Sequence, residues 1–106
     1  MYKKENKELY QHFNCNQNNI NSQQKIKSDV YNILKNFVGV TRVSEPQNVA
    51  IYTKNGKHYI TNYFYDFNNI GCSISFNIDI DYKIEDLNNL VCLLVRKNLE
   101  NLFRFD

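Results

Sequence analysis

The chain has 106 residues, 42% of them hydrophobic and 14% aromatic, and its formal net charge is +2. These values are typical of one folded domain and exclude a disordered chain. So small a net charge does not by itself predict nucleic-acid binding. Asn, Lys, Ile and Tyr are abundant and tryptophan is absent, a bias that follows AT-rich codons and indicates an AT-rich genome.

Residues 1–21 are predicted to form a polar N-terminal arm. Tyr2, Leu9 and Phe13 make a weak apolar stripe that is compatible with a short helix. A helix this short is marginal in water unless it packs on the body of the protein or on a partner. Residues 22–106 are predicted to form a single α+β domain.

The first strong helix is predicted over about residues 22–38, because apolar residues recur there at helical spacing. Its apolar face is formed by Ile26, Val30, Ile33, Leu34 and Phe37. Gly39 suits the left-handed position that ends a helix. The β-prone run over residues 40–43 is interpreted either as an extension of the first strand or as a short extended connector.

A three-stranded antiparallel meander is predicted over about residues 47–53, 58–66 and 72–80. Asn55-Gly56 predicts a two-residue type I′ turn, since both of its central residues need a positive φ. For the second connection, Gly71 predicts a type I turn followed by a bulge.

The first predicted hairpin has two different faces, because side chains alternate along a strand. We call one the aliphatic face, which comprises Val49, Ile51, Ile60 and Phe64. We call the other the tyrosine face, which comprises Tyr52, Tyr59, Tyr63 and Tyr65. A bulged second turn places Phe64 opposite Phe76, so the apolar side of the third strand joins the aliphatic face. We therefore expect the aliphatic face in the core and the tyrosine face outside; a slip of one residue reverses this.

The last helix is predicted over about residues 82–103, with an apolar arc on the order of half its circumference. Both strong helices are expected to pack on the aliphatic face. The predicted fold is a two-layer α+β sandwich of order α-β-β-β-α, preceded by the weak N-terminal helix. The order resembles that of double-stranded-RNA-binding domains and HicA-type toxins in topology alone, over about residues 22–103. The basic helix start of the first family and the Gly-Ser-His signature of the second are both missing.

The sequence contains no recognisable catalytic or metal-binding motif. Cys15, Cys72 and Cys92 are far apart, and neither His12 nor His58 lies at metal-ligand spacing. We therefore expect no enzyme activity, no cofactor and no metal. The absence of a signal peptide and of a long apolar run predicts a reducing, cytoplasmic setting without a membrane span.

The predicted binding surface is the tyrosine face, because tyrosine combines a large contact area with a polar tip. Its residues are Tyr52, Tyr59, Tyr63 and Tyr65, flanked by Lys54 and Lys57. The leading hypothesis is a small interaction protein that binds a protein partner or itself, such as a phage- or mobile-element-encoded inhibitor of a host macromolecule. The alternatives are a nucleic-acid-binding module and a small toxin-type ribonuclease. An ordinary solvent-facing sheet surface, or one covered by residues 1–13, accounts for the tyrosines equally well.

Overall fold

A computed structural model of the chain describes residues 17–44 and 48–103, with side chains from residue 21 onward. It contains helices α1 and α2 and strands β1 to β4. In chain order these are α1 (Gln17–Lys35), β1 (Val40–Val43), β2 (Asn48–Thr53), β3 (Gly56–Phe67), β4 (Ile70–Asp79) and α2 (Ile84–Leu102). The predicted short helix over the first residues of the arm lies outside the described residues.

The sheet is built around β3, its longest strand. β4 pairs antiparallel with one edge of β3, while β1 and β2 pair antiparallel with the other edge, one after the other. The described sheet thus has four strands where three were predicted. Residues 40–43 form a separate strand, β1, which pairs with the same edge of β3 as β2 does, so they are neither an extended connector nor a continuous part of the first predicted strand.

The first turn has Lys54 and Asn55 at its centre, so the predicted Asn55-Gly56 centre is wrong. Thr53 pairs with Gly56, whose φ is +123°. The Thr53 hydroxyl donates to the Gly56 carbonyl at 3.1 Å and accepts from the Asn55 N–H at 3.2 Å, which stabilises this tighter closure. Relative to the prediction, the pairing of β2 with β3 is shifted by two residues. An even shift does not change the side of the sheet on which a side chain lies, so each side chain stays on its predicted face of the hairpin.

The second turn differs from its prediction in a way that changes the fold. Phe67 pairs with Ile70, and the central Asn68 and Asn69 have φ values of 49° and 68°. Both residues are therefore left-handed, as a two-residue type I′ turn requires. Gly71 has no positive φ, so the predicted bulge is wrong.

The tight second turn places the tyrosine face in the core. Tyr63 pairs with Ile74, so the apolar side of β4 joins the tyrosines. Both helices cover this side: α1 contacts β1 and β2, and α2 contacts β4 and α1. The predicted α+β class with both helices on one sheet face is confirmed, but the predicted face is wrong. The buried core consists of Ile26, Val30, Ile33, Leu34, Ala50, Tyr59, Tyr63, Tyr65, Ile74, Phe76, Leu87, Val91 and Val95.

Candidate functional site

The structure does not bring the predicted binding residues together on a surface. Tyr59, Tyr63 and Tyr65 are buried beneath the helices. Lys54 and Lys57 are exposed at the hairpin end, where the Lys57 ammonium lies 4.8 Å from the centre of the half-buried Tyr52 ring. The expected exposure of the tyrosine face is therefore wrong, because a type I′ second turn reverses the face that β4 shares with β3.

The three buried tyrosines are structural core residues. The Tyr65 hydroxyl accepts a hydrogen bond from the Asn98 amide at 2.8 Å, and the Tyr63 ring stacks on Phe76 with centroids 5.9 Å apart. Within the described part of the chain, no group has hydrogen-bond geometry to the buried hydroxyls of Tyr59 and Tyr63, although Ser22 lies near the first and Thr61 and Asn48 lie near the second. Burial raises the pKa of all three side chains above the ordinary value of 10.0, so they stay neutral further into the alkaline range than an exposed tyrosine does.

A polar cluster connects α1 to the segment that precedes α2. The Tyr82 hydroxyl donates to Asp29 at 2.6 Å, and the Lys25 ammonium donates to the same carboxylate oxygen at 3.0 Å. Burial and the hydrogen bond to Asp29 raise the pKa of Tyr82. The cluster therefore links α1 to the segment that precedes α2, and each of its three side chains has a partner within it.

The exposed side of the sheet is the aliphatic face. Ile60 is 45% exposed and Phe64 is 50% exposed, both on the central strand β3. Val49 and Ile51 lie beside them on β2 and are half-buried. No described helix or strand covers this side, so we call it the outer face.

The strand register arranges the side chains of the outer face in rows, each of which consists of one residue of β3 and its paired residue on the neighbouring strand. The centre is polar: Asn62 pairs with Ser75, whose hydroxyl donates to the Asn62 side-chain oxygen at 3.0 Å. One row away on either side along β3 lie Ile60 and Phe64. The outermost rows carry charged or titratable groups, with His58 at one end and Asp66 at the other. The cross-strand partners of these five positions on β4 are Asp79 for His58, Asn77 for Ile60, Ser75 for Asn62, Ser73 for Phe64 and Gly71 for Asp66.

Two open clefts lie on the helical side of the described structure. One, of about 280 Å³, lies between α1 and the end of β1, and its lining includes Lys27, Tyr31 and Ser44. The other, of about 490 Å³, lies between α1 and α2, and its lining includes Phe37 and Ile84. Tyr63 also contributes to the lining of the first cleft, and its hydroxyl is buried.

Among the described residues, no group of three or more His, Cys, Asp or Glu side chains has a geometry that would hold a metal ion. In the same part of the chain, no helix is long and apolar enough to cross a membrane. Cys72 and Cys92 are free thiols and half-buried.

Comparison with models of protein families finds no match, and neither the curated proteins nor the solved structures yield one. The functional argument therefore depends on the geometry of the chain itself.

The outer face is the feature that sequence reasoning placed on the wrong side of the sheet. The alternation that defines it is visible in the sequence, and so is the Asn68-Asn69 pair that orients it. Asn tolerates the left-handed region more readily than other residues with a side chain, so this dipeptide was the available signal. Gly71 is also a common turn residue, and the prediction relied on it instead of on the Asn68-Asn69 pair.

Proposed function

We propose that this protein is a small, non-enzymatic interaction protein that docks a protein partner on its outer face. The observation that supports the proposal is the exposure of Ile60 and Phe64 on the central strand, on the side of the sheet that no described element covers. The outer face thus exposes two large apolar side chains, Ile60 beside Val49 and Phe64 beyond the polar Asn62, and exposed apolar anchors among polar neighbours are a feature of protein-binding surfaces. The proposal moves the binding surface from the tyrosine face to the opposite side of the same sheet.

The composition of the outer face fits a hot-spot arrangement. Phe64 brings an aromatic ring, and Ile60 and Val49 bring β-branched side chains that are already restricted by the strand. Burying the exposed half of Phe64 would contribute on the order of 1 kcal/mol to binding, given roughly 1.5–3 kcal/mol for complete burial of a large apolar side chain. The polar neighbours on β4, Ser73 and Ser75, would form part of the rim.

Site-specific photo-crosslinking tests the proposal. A benzophenone amino acid is placed at position 64, and as a matched control at position 93 of α2, where Leu93 is 60% exposed on the helical side. We expect a discrete crosslinked species, either with another polypeptide or with a second copy, from position 64 and none from position 93. Equal crosslinking from both positions would contradict the proposal.

A charge substitution provides the second part of the test. Ile60→Asp should abolish the crosslink from position 64, because a carboxylate in the centre of an apolar interface must be desolvated. Leu93→Asp should leave the crosslink unchanged. Circular dichroism establishes that both variants are folded, which is expected because both side chains are largely exposed.

Nucleic-acid binding and ribonuclease activity remain alternative predictions. A fluorescent oligonucleotide titrated at low and at physiological salt distinguishes the first, since binding to phosphates weakens steeply with salt. Incubation of purified protein with RNA tests the second. The reducing, cytoplasmic setting and the role as a mobile-element inhibitor of a host macromolecule also stay predictions, and they rest on sequence composition.

A further inference from the structure

We propose that the occupant of the outer face is a second copy of this chain, in a face-to-face dimer. Its two-fold axis lies between the two sheets, perpendicular to the strands, and crosses them at Asn62. This inference rests on the proposed function, because it uses the same face. It adds the identity of the partner and the register of the contact.

The spacing of side chains on β3 makes the outer face complementary to itself. Side chains on one face of a strand recur every second residue, about 6.7 Å apart. Ile60 and Phe64 are therefore equidistant from Asn62, and His58 and Asp66 are equidistant one row further out. A two-fold axis that crosses the strands at Asn62 exchanges these rows, so that Ile60 packs on Phe64 of the second copy.

At each end of the strand, the same axis places a side chain that can donate a hydrogen bond opposite a carboxylate. His58 faces Asp66 of the second copy, where the imidazole can donate a hydrogen bond to the carboxylate. Asp79, the strand neighbour of His58, faces Gly71 and so meets no carboxylate directly. Arg42 pairs with Asp66 across β1 and β3 and adds a positive charge beside it.

An axis parallel to the strands gives a poorer match. It would place Asp66 directly over Asp66 of the second copy, and His58 over His58. Like charges at this separation repel, and the Ile60-to-Phe64 contact would be replaced by contacts between identical side chains. The distribution of charge along β3 therefore favours the axis that crosses the strands.

Asn62 on the axis contributes specificity of register. Its side-chain oxygen accepts a hydrogen bond from Ser75, and its amide group points to the same open side as Ile60 and Phe64. Across the axis the two carboxamides can donate to and accept from each other. A slip of one row would place Asn62 against an apolar side chain and leave its amide without a partner.

The size of the face is compatible with a reversible dimer. Twelve residues of β3 span about 40 Å, and three strand positions span about 14 Å, which gives a footprint of roughly 560 Å² per copy. The total of roughly 1,100 Å² lies just above the ~1,000 Å² expected of a specific contact and below the ~1,600 Å² of a standard one. Interfaces of this size belong to the weak or transient class, so we expect a dimer that depends on concentration.

Thiol crosslinking tests the register. In the 106-residue chain with its three cysteines replaced by alanine, Ser75→Cys places two thiols on the axis, because Ser75 pairs with Asn62 across β3 and β4, and it leaves the Asn62 carboxamide in place. A bismaleimide that spans the ~10 Å between face-packed sheets should join them. Ser73→Cys alone should not crosslink, because its two copies would lie about 17 Å apart. A mixture of Ser73→Cys and Asn77→Cys proteins should crosslink, because this axis brings those two positions together.

The outcomes separate this inference from the proposed function. Sedimentation velocity of the unmodified chain should show a concentration-dependent dimer that Ile60→Asp converts to monomer and Leu93→Asp leaves intact. A monomer at all concentrations, with a crosslink from position 64 to a different polypeptide, would overturn the dimer and leave the interaction face in place. A dimer in which Ser73→Cys crosslinks alone, or Ser75→Cys does not, would overturn the proposed register.

Discussion

The Asn98 amide of α2 donates a hydrogen bond to the Tyr65 hydroxyl of β3 across 2.8 Å, and the same amide donates to the Ser73 carbonyl of β4 at 2.9 Å. One side chain of the last helix thus joins two strands of the sheet. Tyr63, the neighbour of Tyr65 on the buried face, is equally buried but its hydroxyl has no such partner within the described structure.

This difference predicts opposite effects for the same chemical change. Tyr65→Phe should lower the free energy of unfolding by about 1 kcal/mol, because a hydrogen bond is lost from a buried site. Tyr63→Phe should leave it unchanged or raise it, because the hydroxyl that is removed is buried without a partner. Urea unfolding at neutral pH measures both. A loss at Tyr63 as large as that at Tyr65 would show that the Tyr63 hydroxyl is satisfied in solution.

The buried tyrosines predict instability in alkali. Burial raises the pKa of Tyr59, Tyr63, Tyr65 and Tyr82 above the ordinary value of 10.0. The folded state therefore retains protons that the unfolded chain loses. The stabilising contribution is present below pH 10 and is lost as the pH rises above it, by up to about 1.4 kcal/mol per pH unit for each tyrosine.

Thermal unfolding between about pH 8 and pH 11 measures this loss. Tyr63→Phe provides the control, because removing one titrating hydroxyl should flatten the pH dependence while leaving the neutral-pH stability intact. An unchanged slope in that variant would contradict the assignment of the effect to buried tyrosines.

Gly39 is predicted to be intolerant of any side chain. Its φ is +99°, and an added Cβ would lie 2.5 Å from a ring carbon of Phe67. Gly39→Ala should therefore lower the free energy of unfolding by about 2 kcal/mol, from backbone strain and displacement of the ring. Gly71→Ala is the matched control: Gly71 has no positive φ, and the nearest atom to an added Cβ is 4.0 Å away. Equal losses at the two glycines would argue against this account.

The Asn68-Asn69 turn is predicted to control the orientation of the sheet. Asn69→Val should destabilise the fold by about 1–2 kcal/mol, because a β-branched residue is disfavoured at a φ of 68°. Asn69→Gly should be neutral or stabilising, because Asn-Gly is a preferred type I′ pair. Asn77→Val on the exposed side of β4 controls for the new side chain and should be near neutral. Stability of all three is compared by chemical denaturation.

Much of the local structure follows from the sequence. Helical spacing of Ile26, Val30 and Leu34 places α1, although the helix ends at Lys35 and the turn reaches Gly39 before β1 begins. The division of the first hairpin into an aliphatic and a tyrosine face is also correct, because side-chain alternation depends only on the period of the strand. The centre of the first turn was predicted wrongly. Each side chain was still assigned to the correct face, because the pairing of β2 with β3 is shifted by an even number of residues.

Which of those faces became the core was decided by tertiary structure. Gly71 and Asn68-Asn69 are both acceptable turn residues, and the local preference between them is small compared with the energy of burying one face under two helices. In the observed register β4 brings Ile74 and Phe76 to the side of Tyr59, Tyr63 and Tyr65, and α2 supplies a hydrogen bond to one of the tyrosines. The sequence by itself therefore determined the two helices, the three longer strands and the composition of the two faces of the first hairpin. The packing of the helices determined that the tyrosines stabilise the fold and that Ile60 and Phe64 stay exposed, because none of the described helices and strands covers their side of the sheet.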